Sequence, residues 1–583
     1  MPDHRTPSHH SARNTRATAT PPRSHSGTAS TASPSAPVAV LSHATLTWPD
    51  GTPALADVTL SIHAGRTGIV GANGSGKTTL LRLLSEELTP TAGAVEVHGP
   101  VAVLPQSITT RDGTLASAMG IEPVLDALSH LDSGDYSDSV YTAIGDDWDL
   151  EARAEAALHA DGLGYVLDTA TPPDSPWKRE LTTLSGGEVM RIALAGLRLK
   201  SPRLTLLDEP TNNLDRDARE ALYAEVDAWN HGALVVVSHD RDLLERMDRT
   251  VEVHDGAART FDGPYSVYRA ALAAEQEAAL NALQAAKTHA AKEKRDRMIA
   301  NDRRQKLDAR GRKTAGSAGI SRMEADALKK KAATTTAASR QLHEAREADA
   351  QRAIHQADAA VRRDERIRVD LEATRVPDGR EILRLTTTAA PDRPAAAPAQ
   401  LIVRGPERIA LHGPNGSGKT TLMNAIMGEA LPSRAHLAAS VDYTVPETRM
   451  LPQRITFNSD DLGALETVRL SCPTTTENEV RAQLARFLFP AHTLETPVGN
   501  LSGGERFRVA LARELLADPA PQLLLVDEPT NNLDLDSIEQ LAHALRAYRG
   551  ALIVVSHDDA FLSDLAITRS WTLTPNALEE SEL

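Results

Sequence analysis

Gly71-Ala72-Asn73-Gly74-Ser75-Gly76-Lys77-Thr78-Thr79 returns later in the chain as Gly413-Pro414-Asn415-Gly416-Ser417-Gly418-Lys419-Thr420-Thr421. Three further stretches repeat in the same order. Leu184-Ser185-Gly186-Gly187-Glu188 returns as Leu501-Ser502-Gly503-Gly504-Glu505, and Ser238-His239-Asp240 returns as Ser556-His557-Asp558. Between them, Asp208-Glu209-Pro-Thr-Asn-Asn-Leu-Asp215 returns as Asp527-Glu528-Pro-Thr-Asn-Asn-Leu-Asp534. Matched motifs in matched order are an internal duplication, and a repeat of this length decides the architecture.

Short strand-like runs, Thr67–Val70 and Arg408–Leu411, lead into the two glycine loops, and apolar residues at helical spacing follow each loop. Leu204–Leu207 and Gln522–Val526 read as buried strands with an acidic pair at their carboxyl ends. This is an α/β pattern, and ligands of a parallel sheet bind at that end. We expect two P-loop nucleotide-binding domains.

In a loop of this type, glycines let backbone N–H groups approach phosphate oxygens, and the helix amino terminus behind them favours negative charge. Lys77 and Lys419 are expected to neutralise the β- and γ-phosphates of ATP, and Thr78 and Thr420 to place a hydroxyl on Mg²⁺. Asp208 and Asp527 are expected to hold the same Mg²⁺, with Glu209 and Glu528 as general bases for the attacking water. Asp215 and Asp534 read as helix caps. His239 and His557 follow apolar strands and are expected at the γ-phosphate. Gln106 and Gln453, each in Leu-Pro-Gln, are candidate sensors of metal and water.

At 583 residues the chain is long enough for several cores, and its net charge of -16 argues against a uniformly basic nucleic-acid binder. A single cysteine, Cys472, excludes a disulfide framework or cysteine-rich metal site and fits a reduced cytoplasmic setting. No apolar run is long enough to cross a bilayer. Residues 1–37 lack Leu, Ile, Val, Phe, Tyr and Trp and read as a disordered leader, with a transit peptide as the other reading.

Residues 265–376 contain no proline, and their glycines are Gly311, Gly316 and Gly319. Helix formers fill the rest, so two long helices broken around 309–320 are expected, the first reaching roughly 65 Å. Their apolar seam is rich in Ala and poor in Leu. Fifteen Lys and Arg stand against six Asp and Glu across 287–331, with Arg310, Arg312 and Lys313 beside the glycines. Such a cluster supplies phosphate contacts, so an RNA-facing tip is expected.

The glycine loop, glutamine, Leu-Ser-Gly-Gly-Glu, Asp-Glu and His in this order resemble the ATP-binding cassette superfamily, over 38–262 and 379–576. The resemblance implies that Ser185, Gly186 and Gly187 close on ATP held around Lys419, and Ser502, Gly503 and Gly504 on ATP around Lys77. One chain then forms a head-to-tail sandwich and works as a monomer. An aromatic upstream of the glycine loop often stacks on adenine in this family. Trp48 is the candidate in the first half, while 381–411 offers no Phe, Trp or Tyr.

The Asp-Glu-Pro-Thr-Asn-Asn-Leu-Asp stretches and the linker at 263–378 resemble the ABC-F branch. That resemblance implies a ribosome partner, with the linker reaching large-subunit rRNA and P-site tRNA, and no membrane partner. An insertion near 121–160 resembles a short form of the arm that this family places against the large subunit. Residues 577–583 read as an acidic tail, with no basic DNA-binding domain. Protection of the ribosome against a macrolide or lincosamide is the expected function, with a housekeeping translation factor as the alternative. A DNA-associated cassette ATPase and a transporter motor subunit are the remaining readings.

Overall fold

Two six-stranded sheets with parallel centres carry the chain's two halves. The computed structural model describes residues 36–104, 113–168, 175–200, 202–212, 214–315, 341–342, 344–361, 367, 369–387, 399–429, 438–531, 533–574 and 577–581. The side chains of 304, 308, 309 and 311–315 lie outside that description, as does the leader expected at 1–37 apart from its last two residues.

The first cassette begins with β1 (Ala39–Thr47) and β2 (Pro53–Ile62), then β3 (Gly65–Val70), α1 (Lys77–Leu84), β4 (Ala92–Val97) and β5 (Val101–Val103). Next come α2 (Gly186–Leu199), β6 (Leu204–Asp208), α3 (Arg216–Asp227), β7 (Ala233–Val237), α4 (Arg241–Leu244), β8 (Arg249–His254) and β9 (Ala257–Asp262). The main sheet runs β5-β6-β7-β3-β8-β9, parallel except for the last pair. β7 reads Ala-Leu-Val-Val-Val and is buried throughout, as a central strand covered on both faces must be. The smaller antiparallel sheet β2-β1-β4 closes one side of the core.

The second cassette repeats this plan. It contains β10 (Glu381–Thr387), β11 (Gln400–Arg404), β12 (Arg408–His412), β13 (Ala439–Thr444), β14 (Thr448–Leu451), β15 (Leu523–Asp527), β16 (Ala551–Val555), β17 (Arg569–Thr574) and β18 (Ala577–Ser581). Its main sheet is β14-β15-β16-β12-β17-β18. The expected acidic tail is therefore corrected: 577–581 form an edge strand antiparallel to β17. Arg569 reaches Glu580 at 2.7 Å, and charges on that edge discourage pairing with another chain.

Between the cassettes, α5 (Tyr265–Ala315) runs for 51 residues, about 75 Å at 1.5 Å per residue. It passes straight through Gly311, so the expected break does not begin at 309. One glycine inside a long helix costs only about 1 kcal/mol relative to Ala. The chain is helical again over 344–360 (α6). Less exposed positions on α5 recur as Leu272, Gln276, Ala279, Leu283, Ala286, Ala290, Glu293, Arg297 and Ala300, and on α6 as Glu347, Ala350, Ile354 and Ala357, with Val361 just beyond its end. Steps alternating three and four are the 3.5-residue period of a paired coiled coil. Arg297 on α5 pairs with Glu347 on α6.

The insertion narrows to the helices Glu122–Asp132 and Asp138–Ile144, which share a small core of Ala127, Val140 and Ile144. The helix Leu150–Ala160 buries Leu150, Ala154 and Leu158 in the cassette core instead.

Candidate active sites

The carboxyl ends of β3, β6 and β7 are neighbours, so the glycine loop, Asp208-Glu209 and His239 converge. The same holds for β12, β15 and β16 in the second half. Each loop turns where only glycine fits. A Cβ on Gly71 (φ +154°) would stand 2.2 Å from the main-chain oxygen of Val253, and one on Gly413 (φ +151°) 2.2 Å from that of Leu573.

Lys77 Nζ donates to the carbonyls of Gly71 (2.8 Å) and Ala72 (3.0 Å), and Lys419 Nζ to those of Gly413 (2.6 Å) and Pro414 (3.1 Å). Burial lowers the pKa of both lysines. Ser75 Oγ and Ser417 Oγ are buried in their loops without a hydrogen-bond partner among the described residues. Unsatisfied hydroxyls beside a buried ammonium fit phosphate oxygens. Thr79 and Thr421 lie in the first turns of α1 and of the helix Lys419–Ile426 (α7).

Thr420 Oγ1 donates to Asp527 Oδ2 at 2.8 Å, and the Thr78 side chain interacts with Asp208 in a way that favours the ionised carboxylate. A hydroxyl and a carboxylate side by side are the hard oxygen donors that would fit Mg²⁺. Burial raises the carboxyl pKa of Asp208 and of Asp527.

Glu209 and Glu528 both have positive φ, +48° and +42°, in a conformation that non-glycine residues seldom adopt. Each is pinned by donating its N–H to the next strand's end: Glu209 to Val237 and Glu528 to Val555, both at 2.9 Å. His239 Nε2 lies 3.1 Å from Glu209 Oε1, and His557 Nε2 lies 3.6 Å from Glu528 Oε1. Burial pushes Glu209 up to about 8 and His239 down to about 3. It lowers His557 to about 4 and raises Glu528. Both imidazoles are thus neutral at pH 7, and at the first site the neighbouring carboxyl has a proton affinity that suits a general base. Gln453 Nε2 donates to Glu528 Oε2 at 3.3 Å, and Asn531 Nδ2 to the same oxygen at 2.7 Å. Gln106 lies outside the described residues.

The pocket around Lys77 is lined by Trp48, Thr52, Asn73, Gly74, Gly76, Thr78, Thr79, Asp208 and Glu209 among others. Trp48, one of the lining residues, is 37% exposed. Around the second loop, a pocket lined by His412, Gly413, Pro414 and His557 also takes in Asp215, Arg216 and Asp217 of the first cassette.

Asp215 and Asp534 each play two roles, the helix cap expected of them and a contact to the other repeat. Both cap helices, accepting from Ala218 N at 3.1 Å and Ser537 N at 2.8 Å. Their second oxygens cross between cassettes: Asp534 Oδ2 accepts from Asn73 N at 2.7 Å and Asp215 Oδ2 from Asn415 N at 3.4 Å. The cassettes therefore face each other head to tail, each glycine loop bonded to the other repeat. Ser185 and Ser502 begin α2 and the helix Gly503–Leu515 with reciprocal bonds to Glu188 and Glu505, which put Gly186, Gly187, Gly503 and Gly504 in the first turns. Sequence could have flagged the crossing role only through the doubling of Asn-Asn-Leu-Asp, since the contact joins residues 461 positions apart.

The profile of the ABC transporter family matches residues 55–212 and 398–531. The chain is 34% identical over 548 residues to the tylosin resistance ATP-binding protein TlrC of Streptomyces fradiae, covering 86% of this chain and 92% of that one. It is 30% identical over 558 residues to the energy-dependent translational throttle protein EttA of Mycobacterium tuberculosis, covering 87% and 86%. The archaeal ribosome recycling factor aABCE1, solved in complex with the ribosomal stalk protein aP1, shares the fold at a TM-score of 0.50 and 18% identity, over 92% of this chain and 89% of that one.

Proposed function

This chain belongs to the ABC-F family of twin-cassette ATP hydrolases, and on that premise we propose that it binds the ribosome when ATP closes the cassettes and protects it from a large-subunit antibiotic of the macrolide or lincosamide type. The observation that carries the reading is the paired-helix lever of α5 and α6, rooted between two cassettes that touch through their own glycine loops. A motor with such a lever converts closure at the ATP sites into displacement at a distance. A relative named for tylosin resistance supports the antibiotic reading. One named as a translational throttle supports the alternative, a housekeeping factor that gates translation. No described helix is long and apolar enough to cross a membrane.

In this reading the loop N–H groups and the lysines Lys77 and Lys419 bind the phosphates. Thr78, Asp208 and Gln106 hold Mg²⁺ at the first site, and Thr420, Asp527 and Gln453 at the second; the ion supplies neutralisation of charge on the phosphates. Glu209 and Glu528 take a proton from the attacking water, and the neutral His239 and His557 each turn their single N–H toward the γ-phosphate. Ser185, Gly186 and Gly187 complete the site around Lys419, and Ser502, Gly503 and Gly504 the one around Lys77. Trp48 stacks on the base at the first site only. Arg310 is exposed on α5 toward the lever's far end and contacts RNA phosphate together with Arg312 and Lys313, whose side chains lie outside the described residues. Large-subunit rRNA and P-site tRNA are the RNA partners, and a single copy of the chain acts in the cytoplasm.

Glu209→Gln with Glu528→Gln should block hydrolysis and hold the cassettes closed. The doubly substituted protein is expected to pellet with ribosomes in ATP while the parent largely does not. If neither pellets although ATP is bound, the ribosome reading fails. Inhibitory concentrations of peptidyl-transferase and exit-tunnel drugs in a sensitive host then separate the two roles: no shift for any drug, despite ribosome binding, favours the housekeeping factor.

A further inference from the structure

The two cassettes are copies, but the contact between them is not symmetric. Arg219 on α3 reaches across to the second cassette. Its Nη1 donates to the main-chain oxygen of His557 at 3.3 Å and to Asp240 Oδ2, in its own cassette, at 3.2 Å. Its side chain is 11% exposed. Asp240 is itself fixed: Tyr223 donates its hydroxyl to Oδ2 at 2.7 Å, and Oδ1 accepts from Leu243 N at 3.0 Å at the start of α4. The guanidinium is therefore aimed by a rigid partner rather than swinging at a surface.

The equivalent position of the second repeat carries no such group. Four residues after Asp534, where Arg219 follows Asp215, stands Ile538, buried in the second cassette's own core, and Tyr223 is matched by Ala542. That position in the second repeat has no donor to offer the main chain of His239. The asymmetry falls beside the reacting groups. The peptide that Arg219 grips carries His557, whose Nε2 lies 3.6 Å from Glu528 Oε1 and is buried without a hydrogen-bond partner among the described residues. The grip holds the main chain from which that ring projects.

We propose that Arg219 is a positioning residue for the second ATP site: it makes hydrolysis there depend on the seating of the first cassette, while the first site has no matching dependence on the second. The proposal rests on the assignment of Glu528 and His557 to that site. A charged donor holding a main-chain carbonyl acts through geometry, and a misplacement of about 1 Å at a reacting centre can cost up to about a hundredfold in rate.

The test is single-turnover ATP hydrolysis by the full chain, with one base removed at a time. In a Glu209→Gln background, where only the second site reacts, Arg219→Met should lower the rate constant at saturating ATP by about tenfold, with half-saturating ATP within twofold, and Arg219→Lys should recover part of the loss. In a Glu528→Gln background the same substitutions should leave the first site's rate constant within twofold. Asp240→Asn, which keeps the shape but removes the aiming charge, should reproduce the second-site loss if Arg219→Met folds poorly. Equal losses in both backgrounds, or none in either, would overturn the proposal. If Glu528→Gln alone leaves the extent of hydrolysis at the parental value, the second-site assignment fails and the proposal falls with it.

Discussion

Glu209 and His239 face each other across 3.1 Å, and burial moves them in opposite directions, the carboxyl up to about 8 and the imidazole down to about 3. Each shift is also a statement about stability. Between pH 4.5 and 8 the folded Glu209 keeps a proton that the unfolded chain has released, so stability falls as pH rises, by about 1.4 kcal/mol per unit. His239 acts the other way from pH 6.5 down to about 3, where the unfolded imidazole takes a proton that the folded one refuses; stability is lost as pH falls. Above 6.5 the glutamate alone of the two acts. Glu209→Gln should therefore flatten the decline in thermal midpoint of the ATP-free protein between pH 6.5 and 8. A scan in which parent and variant decline alike would show that the carboxyl is not held protonated. The motifs themselves were legible in the sequence because each is local: glycines, a lysine and a hydroxyl within nine residues make one loop. What the motifs could not show is the backbone at Glu209 and Glu528, held at positive φ by the neighbouring strand. Nor could they show the second partner of Asp215 and Asp534, which sits in the other repeat.

At the scale of elements, strands with a continuous apolar run were readable, and the apolar strands expected ahead of His239 and His557 form as Ala233–Val237 and Ala551–Val555. The edge strand Ala577–Ser581 was not. Its sequence, Ala-Leu-Glu-Glu-Ser, has one buried residue, Leu578, and it becomes a strand by pairing with β17. Context outweighs propensity at an edge. The lever shows the opposite case, since a 3.5-residue period in its burial emerges from positions of which six in fourteen are alanine. Small side chains bring helices close but bury little area each, so this seam is stabilised weakly per residue. The Arg297–Glu347 pair across it is more than a third exposed on both sides and adds under about 1 kcal/mol. A break in α5 should thus be poorly tolerated by the lever and ignored by the cassettes. Ala290→Pro removes a helix hydrogen bond at a cost of about 3 kcal/mol or more. ATP turnover of the isolated variant is expected near parental, while co-sedimentation with ribosomes in the Glu209→Gln, Glu528→Gln background is lost. Retained pelleting would mean that the cassettes or the 122–144 insertion, not the lever, carry the binding.

Over the whole molecule, the cassettes meet through surfaces of unlike character. The first supplies cations: Arg216 to Asp559 at 3.4 Å, Arg241 to Glu539 at 3.6 Å and Asp564 at 3.4 Å, and, from the root of α5, Arg269 to Glu539 at 2.6 Å. The second supplies those carboxylates and one apolar anchor, Leu535, which is 8% exposed and packs into the core of the first cassette. The matching residue in the first repeat is Arg216, so the anchor points one way only. Partly exposed ion pairs set register more than affinity, whereas a leucine seated in the partner's core contributes binding energy directly. Removing it should leave each cassette folded, because Leu535 lies outside the core cluster of its own half. Leu535→Ala should weaken closure by about 2 kcal/mol, roughly a thirtyfold shift toward the open form. The measurement is small-angle scattering of the full chain across an ATP titration in the Glu209→Gln, Glu528→Gln background. Closure should need more ATP, or stay incomplete, at an unchanged thermal midpoint. A lowered midpoint with normal closure would instead place Leu535 in the fold of its own cassette.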